Sequence, residues 1–210
     1  MRCERRTPAA PRARRTAAVP GAAAVLLACT VLPAQAHGEG ASGIGGGLLA
    51  GLLHPLLGLD HLVAMVAVGL WGAFLGAPAA WLLPVLFPLV MACGGLLGIA
   101  QVPIPAVEAG IAVSGIVLGL MVAAAARPPL AVAGAVVAAF AVFHGHAHGT
   151  ELPASANALA YSVGFVVSTG LLHVAGIGLG LLVRWPAGRW AVRGLGGLIA
   201  LVGLAYLVGR

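Results

Sequence analysis

Long apolar stretches, bounded by proline, glycine or charged residues, follow one another along most of the chain. Six of them approach or exceed the ~20 residues that a helix needs to cross a bilayer. They occupy residues 44–76, 79–100, 104–126, 129–147, 156–183 and 191–208. This pattern predicts an all-α, polytopic membrane helix bundle with six transmembrane spans.

The first of these stretches is too long to form one straight spanning helix. Its ~33 residues, at ~1.5 Å per residue, exceed a hydrocarbon core of ~30 Å. Pro55 and Gly58 lie within the stretch, and both residue types commonly bend or break helices. We therefore predict a first span broken near Pro55 and Gly58, with a short helical or re-entrant segment ending near His54 and a full span from about Leu56.

The N-terminal 36 residues have the features of a secretory signal peptide. Six of the eleven arginines precede an apolar run at 17–32, and a small-residue cleavage motif occupies 34–36. We predict a cleaved signal peptide at 1–36 and a transmembrane domain at 37–210. An uncleaved first helix is an alternative, although the run is short for a span. A lipoprotein site at Cys29 fits the sequence less well.

The composition supports a membrane protein and excludes other classes. Hydrophobic residues make up 61% of the 210 residues and charged residues only 8%, whereas soluble domains carry roughly a quarter charged residues. Residues 37–210 hold five arginines and four acidic residues, so the net charge is only +1 and does not indicate a nucleic-acid partner. Lysine is absent, which excludes a P-loop and any Schiff-base lysine.

The remaining arginines predict how the spans are oriented. With the new N-terminus in the periplasm, six crossings return the C-terminus to the same side. Arg127, Arg184, Arg189 and Arg193 then lie at cytoplasmic ends and only Arg210 lies outside, as the positive-inside rule requires. We therefore predict a multi-pass protein of the cell inner membrane with both termini of the mature chain in the periplasm.

The break in the first span is flanked by ionisable residues, each of which is costly inside a bilayer. Asp60 and His61 are adjacent, and His54 precedes His61 by seven residues, about two helical turns. A carboxylate beside two imidazoles suits nickel, cobalt, zinc or iron. Alternatively, Asp60 orients an imidazole as an outer partner, or it caps the second half of the broken helix.

A second group of candidate ligands ends the fourth span. It consists of His144, His146, His148 and Glu151. His144 and His148 are one turn apart and share a helical face, whereas His146 points elsewhere unless the turn unwinds. Histidine-rich tracts are a compositional sign of metal binding, and the alternative is a solvated polar helix end.

Two further candidates lie in other spans. Glu108 begins the third span and is followed by Ser114, while His173 lies near the middle of the fifth span. Each of them alone could be a hydrogen-bonded polar residue between helices. Together with the first two groups they could line one route through the bundle. Only Cys93 is a thiol within the predicted transmembrane domain, so borderline divalent ions are favoured over Cu(I).

At these residues the chain resembles the HupE/UreJ family of nickel, and in some members cobalt, permeases. The resemblance is strongest at His54-Pro55-x-x-Gly58-x-Asp60-His61 and at Phe143-His144-Gly145-x-Ala147-His148-Gly149-x-Glu151. It implies a cleaved signal peptide, six spans, and uptake of Ni²⁺ or Co²⁺. It also implies that transport depends on the residues His54, Asp60, His61, His144, His148 and Glu151.

We therefore predict a secondary transporter, not an enzyme, that carries Ni²⁺ or Co²⁺ from periplasm to cytoplasm along a His/Asp/Glu-lined path. The metal is the substrate, no resident cofactor is expected, and the surrounding partner is the lipid bilayer. The pattern specifies no oligomeric state. The alternatives are a di-iron membrane enzyme using the His144-x-x-x-His148 spacing, a serine protease using Ser114 and His173, and a metal sensor without transport activity.

Overall fold

The computed structural model describes residues 43–152 and 157–209, all of which belong to one compact unit. Within these ranges the regular elements are helices. They are α1 (Gly43–Leu57), α2 (Leu59–Leu75), α3 (Ala79–Ile99), α4 (Val107–Ala123), α5 (Leu130–Thr150), α6 (Ala158–Gly180) and α7 (Pro186–Val208). A short 3₁₀ turn, Leu181–Arg184, extends α6. The predicted all-α fold is confirmed, whereas the predicted signal peptide at 1–36 lies outside the described residues.

The helices are long and apolar enough for a multi-pass membrane protein. The four helices α3, α5, α6 with its 3₁₀ extension, and α7 each meet the length of a span, and the bent pair α1–α2 together makes a fifth. Helix α4 is apolar but has only 17 residues, or ~25 Å of rise. The count of six spans requires that α4 also crosses, and it remains a prediction.

The break in the first span occurs at Gly58. Helices α1 and α2 meet there at 79°, and Gly58 itself adopts an extended backbone conformation. Pro55 lies inside α1, which continues three residues beyond His54 to Leu57. The break was therefore predicted in the right place, and the backbone leaves the helical conformation at Gly58 and not at Pro55.

The exterior of the bundle is apolar, as expected for a surface that faces lipid. Leu96, Leu171 and Leu201 expose 66%, 64% and 63% of their surface, and many other leucines and valines resemble them. The buried core instead contains Met65, Trp71 and other large side chains, together with several histidines. In a bilayer, such outward-facing apolar residues are solvated by acyl chains, so they do not oppose folding.

Helices pack mainly in three sets: α3 against α5, α4 against α7, and α1 followed by α2 along α6. Glycines allow the closest approaches. A Cβ at Gly145 would overlap the Met91 carbonyl of α3, and a Cβ at Gly69 would overlap the His173 carbonyl of α6. These contacts position the histidines of α5 and α6, because each glycine is adjacent to a histidine or packs directly on one.

Candidate metal-binding site

The break at Gly58 and the end of α5 bring two sets of candidate ligands together. His54 lies in the last turn of α1, Asp60 and His61 begin α2, and His148 lies in the last turn of α5. Two groups of three residues place one possible ligand atom each within 4.8 Å of the others. They are the inner group His61, His144 and His148, and the outer group His54, His148 and Glu151.

The inner group is removed from solvent. His61, His144 and His148 expose 8%, 0% and 6% of their surface. The ring centroid of His61 lies 4.8 Å from that of His144 and 4.5 Å from that of His148. The rings are therefore close enough for their nitrogens to share one ion, which binds imidazole in its neutral form.

Asp60 fixes the orientation of His61. The Nδ1–H of His61 donates to the Asp60 carboxylate at 2.9 Å, and the His61 backbone amide donates to the same oxygen at 3.0 Å. The His61 Nε2 therefore carries its lone pair, and it is buried without a hydrogen-bond partner among the described residues. A carboxylate that holds the far nitrogen of a ligating histidine is a common arrangement around protein-bound metals.

Ser114 fixes the orientation of the His144 ring in a similar way. The Ser114 hydroxyl donates to the Ile111 carbonyl at 2.6 Å, so its oxygen is left to accept from the His144 Nε2–H at 2.9 Å. The Nδ1 of His144 then carries the lone pair, and it too is buried without a partner within the described ranges. Both ring nitrogens of His148 are likewise buried and unpartnered there. The inner group thus offers three imidazole lone pairs to one ion.

The outer group connects the inner one with the surface. The His54 Nε2 lies 3.3 Å from a Glu151 carboxylate oxygen, and the two side chains are 29% and 49% exposed. The His54 hydrogen bond holds the pKa of the Glu151 carboxyl below its ordinary value. Glu151 is therefore ionised and attracts cations. The His148 ring lies 4.8 Å from the His54 ring, so His148 is shared by both groups.

The remaining predicted residues lie outside both groups. The His146 Nε2 donates to the Val102 carbonyl at 2.8 Å, so this ring faces the segment between α3 and α4. Glu108 is exposed in the first turn of α4. His173 is buried on α6, and the Phe87 ring lies 5.5 Å from both His144 and His173.

Two neighbours of the site carry little signal in the sequence. Phe87 separates the inner group from His173, yet it is one apolar residue within an apolar helix. Ser114 stands out only as a polar residue in an apolar run.

The geometry does not support the two enzyme alternatives. The partner of Ser114 is His144 and not His173, so there is no support for a protease built on Ser114 and His173. Nor does the inner group resemble a di-iron centre, because its nearest carboxylate is that of Asp60 and hydrogen-bonds His61.

This combination of apolar helices and a buried cluster of histidines defines a multi-pass membrane protein whose described residues include two groups of side chains that could hold a metal ion. The chain belongs to the HupE/UreJ family: the sequence model described as HupE / UreJ protein matches residues 24–206. It is similar to Protein HupE of Rhizobium leguminosarum bv. viciae, with 49% identity over 186 residues that cover 87% of this chain and 95% of that protein. No solved structure matches the chain. Family membership supports a metal transporter.

Proposed function

We propose that the protein is a secondary transporter that carries Ni²⁺ or Co²⁺ into the cytoplasm. The observation that supports this most is the inner group, whose His61, His144 and His148 offer buried lone pairs within 4.8 Å of one another. Neutral imidazoles prefer borderline divalent ions such as Ni²⁺, Co²⁺ and Zn²⁺ over Mg²⁺ and Ca²⁺. The absence of a thiolate from both groups disfavours Cu(I).

The two groups form successive sites for the ion. The ionised Glu151 attracts it, and the ion then replaces the direct contact between His54 and that carboxylate. Because His148 belongs to both groups, it can hold the ion while His54 and Glu151 are exchanged for His61 and His144. The ion therefore need not lose all its protein ligands at once, and three-residue shells bind loosely enough to release it.

The inward step then passes the Phe87 ring toward His173. Glu108 begins α4 at the same end of the bundle as Glu151, so in this proposal it acts near the entrance and not further inward. A membrane potential contributes ~2.3 kcal/mol per elementary charge per 100 mV, which doubles for a dication. This is sufficient to drive uptake without ATP.

The charges at the two ends of the bundle support an orientation in the inner membrane. Asp60, Glu108 and Glu151 lie at the end that carries the outer group. Four arginines lie at the opposite end of the bundle. Arg127 follows α4, Arg184 ends the 3₁₀ turn after α6, and Arg189 and Arg193 lie near the start of α7. By the positive-inside rule, the arginine end is cytoplasmic and the outer group opens to the periplasm.

Metal accumulation in cells tests the proposed function. Cells that express the full chain are expected to accumulate radioactive nickel or cobalt well above cells with an empty vector, and collapse of the membrane potential should remove the difference. The same accumulation measured with zinc, manganese and magnesium, each supplied in turn, shows which metals the protein selects. Equal accumulation of every metal with and without the protein would show that it does not transport these ions.

The hydrogen bond from His144 to Ser114 gives a more specific prediction. Ser114→Ala removes the acceptor that fixes the His144 tautomer, and losing such an outer partner typically costs 10–100-fold in metal affinity. We expect nickel affinity, measured by calorimetry on the purified protein, to fall by about tenfold. Ser168→Ala is the matched control, because Ser168 is also buried in a helix but its hydroxyl has no partner within the described ranges. Equal losses in both variants would contradict a role for the Ser114 hydrogen bond.

A further inference from the structure

Three arginines converge on one cavity at the end of the bundle away from the histidines. Arg127, Arg189 and Arg193 line a cavity of about 540 Å³, together with apolar side chains that include Phe74 and Trp190. The acidic residues of the described ranges are distant. Asp60 begins α2 while Phe74 is near its end, a separation of ~20 Å along the helix.

The guanidinium groups are held in place by neighbouring groups. The Arg193 Nε–H donates to the Ala123 carbonyl at 2.7 Å, and the Arg189 Nε–H donates to the Val183 carbonyl at 3.1 Å. The Arg127 guanidinium lies 4.7 Å from the centre of the Phe74 ring. These contacts occupy the Nε end or one face of each group, so the Nη donors remain for an anion.

This arrangement differs from an ordinary row of cytoplasmic arginines. Three like charges around one cavity repel one another, and no carboxylate of the described residues lines the cavity to offset them. Arg184 provides an internal comparison, because it lies at the same end but does not line the cavity. A preorganised cluster of guanidinium groups matches the geometry of phosphate oxygens, which each group can bind with two donors.

The surroundings indicate that the phosphate belongs to a lipid. Trp185 and Trp190 expose 59% and 72% of their surface beside the arginines, and tryptophans of this kind are enriched at the headgroup level of bilayers. The cavity also has apolar walls formed by Phe74, Val183 and Pro186, which suit the glycerol and upper acyl segments better than they suit a free ion. Basic pockets between helices on the cytoplasmic side recognise anionic headgroups.

We propose that the cavity lined by Arg127, Arg189 and Arg193 binds the phosphate group of an anionic phospholipid. The binding site is separate from the histidine groups and does not depend on metal transport. A bound phosphate would neutralise the arginine cluster at the end of the bundle where a transported cation would leave.

Native mass spectrometry of the full chain in detergent micelles tests this proposal. Phosphatidylglycerol and phosphatidylcholine are supplied at equal concentration, and the retained lipid is counted. We expect wild-type protein to retain phosphatidylglycerol preferentially. An arginine that contacts an anionic headgroup contributes about fivefold to affinity, so Arg189→Gln combined with Arg193→Gln should weaken retention roughly thirtyfold.

Two further variants keep the test independent of folding. Arg127→Gln breaks no hydrogen bond to a backbone carbonyl of the described residues and should weaken retention about fivefold. Arg184→Gln removes the same charge at the same end of the bundle but outside the cavity, and it should retain phosphatidylglycerol as the wild type does. Thermal melting of each variant reports whether it folds.

Three results would overturn the proposal. Equal retention of the two lipids by the wild type would exclude recognition of the anionic headgroup. An equal loss in Arg184→Gln would mean that surface charge, and not the cavity, selects the lipid. Displacement of phosphatidylglycerol by inorganic phosphate at the same concentration would assign the site to a soluble phosphate.

Discussion

Replacing His148 by alanine is expected to reduce nickel uptake to the level of cells without the protein. His148 belongs to both groups of candidate ligands, so its loss leaves two ligands in each and removes the residue that joins them. Loss of an outer partner alone costs 10–100-fold in metal affinity, so losing a direct ligand should cost at least about a hundredfold. Uptake of radioactive nickel at low external concentration measures the effect.

His146→Ala is the matched control for this variant. His146 lies two residues away on the same helix and is buried to a similar degree, with 7% of its surface exposed against 6% for His148. Its Nε2 is bonded to the Val102 carbonyl, and it belongs to neither group. His146→Ala is therefore expected to retain most of the uptake. Wild-type uptake by His148→Ala, or complete loss of uptake in both variants, would contradict the assignment of His148, and not His146, as a metal ligand.

Asp60→Asn is expected to lower nickel affinity by roughly 10–100-fold while leaving the protein folded. The carboxylate accepts the His61 Nδ1–H, which keeps the lone pair on Nε2 and directs it toward His144 and His148. An asparagine can present its amide N–H to Nδ1 instead and so favour the wrong tautomer. It also removes a negative charge in direct contact with the inner group, and this charge offsets that of a bound dication.

The dependence of uptake on nickel concentration separates affinity from capacity in this variant. If Asp60 only orients His61, uptake by Asp60→Asn should recover at high nickel. Asp60→Glu keeps the carboxylate and should retain a larger part of the affinity than Asp60→Asn. Unchanged nickel affinity in Asp60→Asn would show that His61 does not need this partner.

The membrane fold could be predicted from the sequence because the bilayer imposes a simple rule. Apolar stretches of sufficient length become helices, so both ends of α3 and the C-terminal end of α7 fall within a residue of the predicted spans. The N-terminal end of α7 differs, because the helix begins at Pro186 and not at the predicted residue 191. Proline is favourable in the first turn of a helix, and it extends α7 into a segment that contains arginines. The position of the break at Gly58 was also predicted, although the proline inside α1 does not end that helix.

All five residues of the two histidine groups could likewise be singled out as candidates, because ionisable residues are rare in apolar stretches and stand out. Helical periodicity further separated His144 and His148 from His146, and the structure places their rings accordingly. The sequence could not decide whether Asp60 binds an ion or orients His61, because both roles require the same residue at the same position. The hydrogen bond between Asp60 and His61 supports the orienting role.

Contacts between distant segments could not be predicted in the same way. Ser114 and His144 are 30 residues apart, and Phe87 approaches both His144 and His173 only after α3 packs against α5. The arginine cavity combines the segment after α4 with the start of α7. Such contacts depend on which helix faces pack together, and abundant glycines and alanines make many pairings compatible with the pattern of apolar residues.

X-ray absorption spectroscopy of the purified, nickel-loaded protein tests most directly whether the inner group holds the ion. The geometry predicts nitrogen and oxygen ligands only, with the scattering of three imidazole rings, and the spectrum should be the same in His146→Ala. His148→Ala should lose at least one imidazole contribution. A spectrum with sulfur in the first shell, or one with water oxygens and no imidazole, would contradict a metal site formed by His61, His144 and His148.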